Sequence, residues 1–470
     1  MKKLYFLFFL VSIIFSQSIS FKIDELIKNK YFEYTNIGIK VVNLSRNNQI
    51  LYQKNNKMLF RPASNMKILT TAVALDLFGI DYKFQTILYT DGKIHNGTLG
   101  GNLCLKSEFD PSLKVKNFEN LVNQLKNKGL KKIEGDLLID VSNIDTLEWN
   151  RDWAWDDEPN YYAAHISSIS LNGNCIDISV KPSKIGKNPD VFLYPNYTNL
   201  NIINNAITVD TNQQTNLTIT RDWYYRNNTI IINGKISLKD AQITETVNFE
   251  KPHKQILMFF YQLLVDNGIE VKGQLNVIFD NNKANQYTIL AADSTDIKDI
   301  IKNFNKVSDN LTGEMLLRCF ANKIYNEKGS SLKGIEVVKG FIKKIGLDSD
   351  NYQIIDGSGL APTNYINNEL IIAVLINLYN DKLKFPIFYE SLPIAGVDGT
   401  LRRRMKDTPA FNNVRAKTGT INGVSSLSGY VKAKNGDMLA FSIFIQNHLS
   451  QAKARAYQDE ICNILATCEL

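Results

Sequence analysis

Histidine is scarce and scattered: four in 470 residues, at positions 95, 165, 253 and 448. The five cysteines, at 104, 175, 319, 462 and 468, form no Cys-x-x-Cys pair. These two shortages remove the clusters from which zinc sites are built, and no metal or cofactor is expected. Cys462 and Cys468, on one helix, would be offset by about 9 Å along its axis, too far for a disulfide. Buried free thiols are expected; in an oxidising compartment the alternative is some other pairing with one cysteine left over. No dense basic block is present. The net charge of +7 is spread out and falls to +5 without Lys2 and Lys3. That excludes a nucleic-acid signature, although a mild positive charge suits an anionic cell-wall polymer. Beyond the first 20 residues no apolar run approaches bilayer-spanning length. No internal repeat is visible.

What is present begins with a leader. Lys2-Lys3 precede an apolar run from Leu4 to Phe15, and Ser16-Gln17-Ser18 or Ser18-Ile19-Ser20 offers a small-x-small cleavage site. Residues 1–20 read as a secretory signal peptide outside the fold, the alternative being an uncleaved anchor. No cysteine follows the run, which argues against a lipoprotein. The mature protein is expected in the periplasmic or cell-wall space, with at most peripheral membrane association. Its 44% hydrophobic and 21% charged content is that of an ordinary globular protein. The chain length suits two or three domains.

Local patterns order the chain. A short helix is expected over Phe21 to Tyr31, then a hairpin of Asn36 to Leu44 with a strand starting at Ile50. Residues 88–245 change texture, with glycine-punctuated turns and short alternating runs rich in Asn, Thr and Ile. They read as a mostly-β insertion with its own core, including a strand over Ile133 to Ile139. Helical periodicity returns at Gln255 to Val265, Ile297 to Phe304, Leu311 to Tyr325, Leu332 to Ile345, Glu369 to Asn380 and Ser450 to Ala466. Arg415 to Thr420, Ser426 to Lys432 and Met438 to Gln446 read as strands.

The hairpin feeds Phe60-Arg61-Pro62-Ala63-Ser64-Asn65-Met66-Lys67, which opens a helix. Ser64 and Lys67 lie one turn apart on one face, so a lysine amine reaches a serine hydroxyl without histidine. Burial near another cation would leave that amine neutral and able to take the hydroxyl proton. The same spacing recurs at Ser330/Lys333 and Ser450/Lys453, so partners must decide. Ser308-Asp309-Asn310 precedes a firm helix, whereas its duplicate at Ser349/Asn351 sits in a polar loop. Lys417-Thr418-Gly419-Thr420 ends a strand. No histidine lies near any of these motifs in the sequence.

In this order the three motifs resemble the serine penicillin-recognising enzymes. The chain is most similar to the D-alanyl-D-alanine carboxypeptidase/endopeptidase family of low-mass penicillin-binding proteins, the type with a large insertion after the nucleophile helix. The further matching stretches are Lys306-Val307 with Glu314-Met315-Leu316, Asp356-Gly357-Ser358-Gly359-Leu360 and Leu392 to Leu401. The gap of about 240 residues from Ser64 to Ser308 is what such an insertion requires.

The resemblance implies an α+β fold: a penicillin-binding/β-lactamase-like domain, antiparallel sheet with helices, from 21–87 and 246–470, carrying the inserted region. It implies Ser64 as the acylated nucleophile and Lys67 as its base, held neutral partly by Lys417. Ser308 would relay the proton to the leaving D-alanine, and Asn310 would bind a substrate amide. Thr418 and Thr420 would hold the terminal carboxylate, Gly419 would leave room for substrate, and the Ser64 and Thr420 N–H groups would form an oxyanion hole. Peptidoglycan stem peptides, or D-alanyl cross-links, would be the substrates and β-lactams covalent inhibitors. Arg402, Arg403 and Arg404 read as a solvated face rather than a substrate contact. A β-lactamase or esterase on the same fold and a non-catalytic wall-binding scaffold are the alternatives.

Overall fold

Both ends of the chain build one sheet. In the computed structural model, which describes residues 18–196, 200–280 and 287–470, its antiparallel strands are Gln49–Lys54, Asn36–Asn43, Met438–Gln446, Val424–Lys432 and Arg415–Ile421, in that spatial order. Ile37, Ile39 and Val41 join Leu439, Phe441 and Ile443 in a core closed by the helices Ile19–Ile27 and Gln451–Thr467. Val42, Ala440 and Phe444 belong instead to the core beneath Met66–Phe78 and Asn368–Asn380. Cover on both faces explains why Met438–Gln446 is apolar at every position but Ser442 and its terminal Gln446.

The first helix starts inside the stretch assigned to the leader. Ser18 caps it, accepting from Phe21 N, and Ile19 is buried. Residues 18–20, expected outside the fold, are thus part of it. Residues 1–17, the rest of the stretch read as a leader, lie outside the described residues.

The inserted region is β-rich but larger than 88–245. Lys83–Thr90 pairs with Leu103–Ser107 on one side and with Thr288–Asp296 on the other; Leu137–Asp140 and Leu275–Ile278 complete that five-stranded sheet. The limits expected at 88 and 245 therefore cut through the strands Lys83–Thr90 and Ile243–Asn248. Pairing between strands distant in sequence leaves no trace in local texture, which is why a boundary drawn on texture falls in the wrong place. Two helices, Val115–Asn127 and Pro252–Asp266, belong to the region. The single strand expected over Ile133 to Ile139 is two, Lys132–Ile133 and Leu137–Asp140, in different sheets. The break falls at Gly135, where a Cβ would lie 2.5 Å from the Gly101 carbonyl.

Nor does the insertion keep a core to itself. Leu103, Leu105, Phe118 and Phe260 belong to the same continuous apolar core as Phe84, Phe304, Met66 and Phe444. Phe78 bridges the parts, its ring 5.7 Å from Phe84 and 5.9 Å from Phe320. All five cysteines are buried and free, as expected.

A shared core has a measurable consequence. Leu105→Ala, at a fully buried position, is expected to cost about 2–5 kcal/mol. Calorimetry should show one transition moved to lower temperature; a split trace in which only one component moves would mean two independent cores.

Candidate active site

The nucleophile turn is fastened to the sheet before the helix begins. Gln446 Nε2 donates to Arg61 O at 3.0 Å and Ser426 Oγ to Pro62 O at 2.7 Å. Ala63 then adopts a left-handed φ of +47°, and a 3₁₀ turn, Ala63–Asn65, leads into Met66–Phe78. Such backbone is costly for a residue with a Cβ and persists only where the surroundings enforce it. Gly359 is part of the enforcement: its φ is +83°, and a Cβ there would fall 1.9 Å from Ala63 O. Asn65, to which the sequence assigned no role, donates from Nδ2 to Lys417 O at 3.0 Å and so ties the turn to the third motif.

Lys67 is fully buried and its Nζ has three partners: Ser64 Oγ at 2.9 Å, Asn310 Oδ1 at 2.7 Å and Ser358 O at 2.6 Å. Burial lowers the amine to about 8, against the opposing fields of Asp356, Asp309 and Glu314. Lys417 Nζ donates to Ser308 Oγ and Thr418 O, both at 2.8 Å. Burial first, and then the charge of Lys67, hold Lys417 well below the usual lysine range. Desolvation is thus the larger cause for both amines, and repulsion between the two charges works in the same direction.

The duplicate motifs have a different structure. Ser330 and Ser450 cap helices, each Oγ accepting at 3.4 Å from the backbone N–H of Lys333 or Lys453. In both, the lysine offers its backbone to the serine and not its amine. Ser349 is buried in the short turn Ser349–Asn351.

Ser308 occupies a corner between the helices Ile297–Val307 and Asn310–Tyr325, with a left-handed φ of +65°. Asp309 caps the second helix by accepting from Thr312 N at 3.0 Å. Lys306 holds the corner from behind, donating to Asp398 Oδ2 at 2.6 Å and Leu392 O at 2.7 Å. Asn310 Nδ2 donates to Tyr162 O at 2.7 Å, so the inserted region orients a motif residue. The loop after Asp356 is shaped by two buried acids. Asp356 accepts from Gly359 N and Ala361 N, both at 2.7 Å, and from Trp153 Nε1 at 3.1 Å. Glu314 Oε1 accepts from Gly357 N at 3.1 Å and Ser358 N at 3.2 Å; burial and nearby Asp356 push this acid up to about 7. Together they present the Ser358 carbonyl to Lys67.

The motifs converge on one open cleft of about 1610 Å³ that contains Ser64, Ser308, Asn310, Thr418 and Thr420. Lys114, Asp157, Tyr161 and Tyr162 of the inserted region line it too. Arg402 and Arg403 are exposed as expected, yet they stand on the cleft rim; Arg404 turns to Asp459 at 2.6 Å. His448, remote from every motif in sequence, lines the same cleft, and burial lowers its pKa. Thr418 Oγ1 donates to Thr400 Oγ1 at 2.7 Å, and Thr420 Oγ1 accepts from Arg455 Nη2 at 3.3 Å. A Cβ at Gly419 would lie 2.1 Å from Ser426 Oγ, 2.7 Å from Pro62 O and 3.0 Å from Ser64 N. Its bareness therefore admits the turn that carries Ser64.

Among the described residues one group of metal-type ligands comes together, Glu158, His165 and Glu250. The Arg221 guanidinium already fills that place, 2.5 Å from Glu158 and 3.8 Å from Glu250.

A model of the D-Ala-D-Ala carboxypeptidase 3 (S13) family matches residues 19–468. The chain belongs to this family. The D-alanyl-D-alanine carboxypeptidase of an Actinomadura species is 30% identical over 94% of this chain and 84% of that protein. The D-alanyl-D-alanine carboxypeptidase DacB of Haemophilus influenzae is 28% identical over 88% of this chain and 86% of its own. The crystal structure of penicillin binding protein 4 from Haemophilus influenzae superposes with a TM-score of 0.82 at 26% identity, covering 95% of this chain and 99% of that one. A second structure of that protein, complexed with a β-lactam, gives a TM-score of 0.77 at 25% identity. The S13 fold is thus present over nearly the whole described chain, inserted region included.

The packing at Gly419 yields a test within this S13 site. Gly419→Ala must push the strand away from Ser64, and a shift near 1 Å costs about 100-fold in rate. Acylation by a fluorescent penicillin, followed by stopped-flow, should slow by that order while the melting temperature changes little. An unchanged rate would show that the contact between strand and turn is not limiting.

Proposed function

We propose that this protein is an exported serine D-alanyl-D-alanine carboxypeptidase that removes the terminal D-alanine of peptidoglycan stem peptides through an acyl-enzyme on Ser64. Family membership fixes the class of enzyme. The leader supports export, and among the described residues no helix is long and apolar enough to cross a membrane.

One observation carries the mechanism. A neutral amine has two N–H bonds and one lone pair. Asn310 Oδ1 and the Ser358 carbonyl are acceptors only, so they take the two N–H bonds of Lys67. The lone pair is left facing Ser64 Oγ. Lys67 then takes the hydroxyl proton as Oγ bonds to the carbonyl carbon of the penultimate D-alanine. The Ser64 and Thr420 N–H groups stabilise the oxyanion, which is supported by the close passage of the strand beside Ser64 N. Collapse of the tetrahedral intermediate breaks the peptide bond; the leaving amine takes a proton from Ser308, which takes in its place the one that Lys67 accepted, so the lysine is neutral again. Ser308 can give that proton because its oxygen accepts from Lys417. Water then attacks the ester and returns Ser64 to its hydroxyl form. Thr418 and Thr420 hold the terminal carboxylate, with the Arg455 cation behind Thr420. A β-lactam acylates Ser64 by the same route, and its ring-opened amine stays attached.

Ser64→Ala should abolish both fluorescent-penicillin labelling and D-alanine release. Ser330→Ala and Ser450→Ala should keep both while losing about 1 kcal/mol of stability as helix caps. A long-lived label marks this enzyme class, rapid turnover of the label a β-lactamase, and no label a scaffold. Labelling that survives in the Ser64 variant would refute the choice of nucleophile.

The pH dependence follows from Lys67. Its working form is the neutral one, which grows as pH rises, and burial places its midpoint at about 8. Acylation should therefore climb through about pH 8 and then level. Lys67→Arg should be inactive across this range, since a guanidinium keeps its proton. Acylation of Lys67→Arg at close to the parent rate would end the lysine-base mechanism.

A further inference from the structure

Outside the cleft, the inserted region displays a row of aromatic rings that no part of the mechanism uses. Trp155, Tyr224 and Tyr225 are 70%, 72% and 75% exposed. Trp155 lies 5.3 Å from Trp223 between ring centroids, Trp223 6.3 Å from Tyr224, and Tyr224 5.2 Å from Tyr225. Two separate segments supply them: the turn Trp155–Asp157 and the bend between the strands Thr218–Arg221 and Ile230–Asn233. Contiguous exposed apolar surface of this kind marks a binding site more often than an accident.

The display is built from beneath. Arg221 is almost fully buried and holds both segments, with Nη2 on Glu158 at 2.5 Å and Nη1 on Asn227 O at 3.0 Å. Trp223 N donates to Arg221 O at 2.8 Å, and Arg226 N to Trp223 O at 2.9 Å. The bend is thus fastened and its rings are held outward. The row also begins at the catalytic cleft. Ala154 and Asp157, on either side of Trp155 in the chain, line the cleft, and Asp157 accepts from Tyr162 Oη at 3.1 Å. Tyr162 is the residue whose carbonyl orients Asn310.

A surface of flat apolar faces with polar edges suits a ligand of the same character. Pyranose sugars present C–H faces and hydroxyl edges. In the function proposed above, on which this inference rests, the stem peptide in the cleft hangs from a polymer of amino sugars. We propose that Trp155, Trp223, Tyr224 and Tyr225 bind the glycan strand that carries the stem peptide. Asp156 is exposed beside Trp155, and Arg226, exposed beside Tyr225, is paired with Glu250, so among the described residues the row carries no cluster of free cations to draw an anionic lipid surface.

The probe is peptide-free glycan strands of N-acetylated amino sugars, with binding read by tryptophan fluorescence and co-sedimentation. The Ser64→Ala protein should bind them as the parent does, since binding needs no catalysis. Combining Trp155→Ala, Tyr224→Ala and Tyr225→Ala should weaken binding about tenfold or more. The triple variant should release D-alanine from intact peptidoglycan more slowly than the parent, yet from a soluble glycan-free pentapeptide at a rate within about twofold of it. Tyr225→Ala alone, at the most exposed ring of the row, should give a smaller loss of the same kind and covers the case in which the triple variant misfolds. Equal glycan binding by parent and variants overturns the proposal, as does absence of binding by the parent. Loss of vesicle binding in the variants without any glycan binding would assign the row to a membrane and likewise overturn it. Failure of the parent to act on the soluble pentapeptide would instead refute the proposed activity and leave the binding result standing.

Discussion

The site depends on where one amine finds its hydrogen-bond acceptors. Lys67 is buried without a carboxylate partner, so a full charge there is expensive and the neutral form comes within reach near physiological pH. Two pure acceptors then decide where the lone pair points. Each acceptor is held by a different part of the chain. Asn310 is oriented by the Tyr162 carbonyl from the inserted region. The Ser358 carbonyl is presented by a loop that Asp356 and Glu314 shape with backbone hydrogen bonds. The inserted region thus orients a residue of the proposed site and shares the core beneath it.

Backbone strain collects at the same place. Ala63 and Ser308 both adopt left-handed φ values, a conformation that costs on the order of 1–3 kcal/mol per residue. Each is over-determined. Hydrogen bonds to Arg61 O and Pro62 O, and from Asn65 to Lys417 O, surround the first, and the Lys306 ammonium holds the loop behind the second. Gly359 and Gly419 permit the close packing that makes this possible, one against Ala63 O and the other against the Ser64 amide. The serine hydroxyls of motifs far apart in sequence are in this way each brought within 3 Å of a lysine amine.

Local chemistry makes the proposed reacting groups legible in the sequence itself. Ser64, Lys67, Ser308, Asn310 and Lys417 carry side-chain chemistry in a recognisable order, and Met438–Gln446 is apolar on both faces. What the sequence hides is non-local. Lys83–Thr90 and Thr288–Asp296 pair across the whole insertion, so texture alone puts its limits at 88 and 245. Asp356 and Glu314 act through backbone amides, which no motif spells out. His448 reaches the cleft because it follows the strand Met438–Gln446, which lies beside the one that begins at Val424. Gly419 is legible as a required glycine, but whether substrate or protein fills the space it leaves is visible only in three dimensions.

The central claim is that burial is the main cause that makes Lys67 a neutral base. The direct measurement is an NMR titration of the lysine side chains in the intact protein, with the Lys67 signal assigned by its loss in Lys67→Arg. A midpoint near 8 is the result expected from burial without a carboxylate partner. A midpoint at the free-lysine value of about 10.4 would contradict the account, because the amine would then hold its proton whenever Ser64 had to give one up.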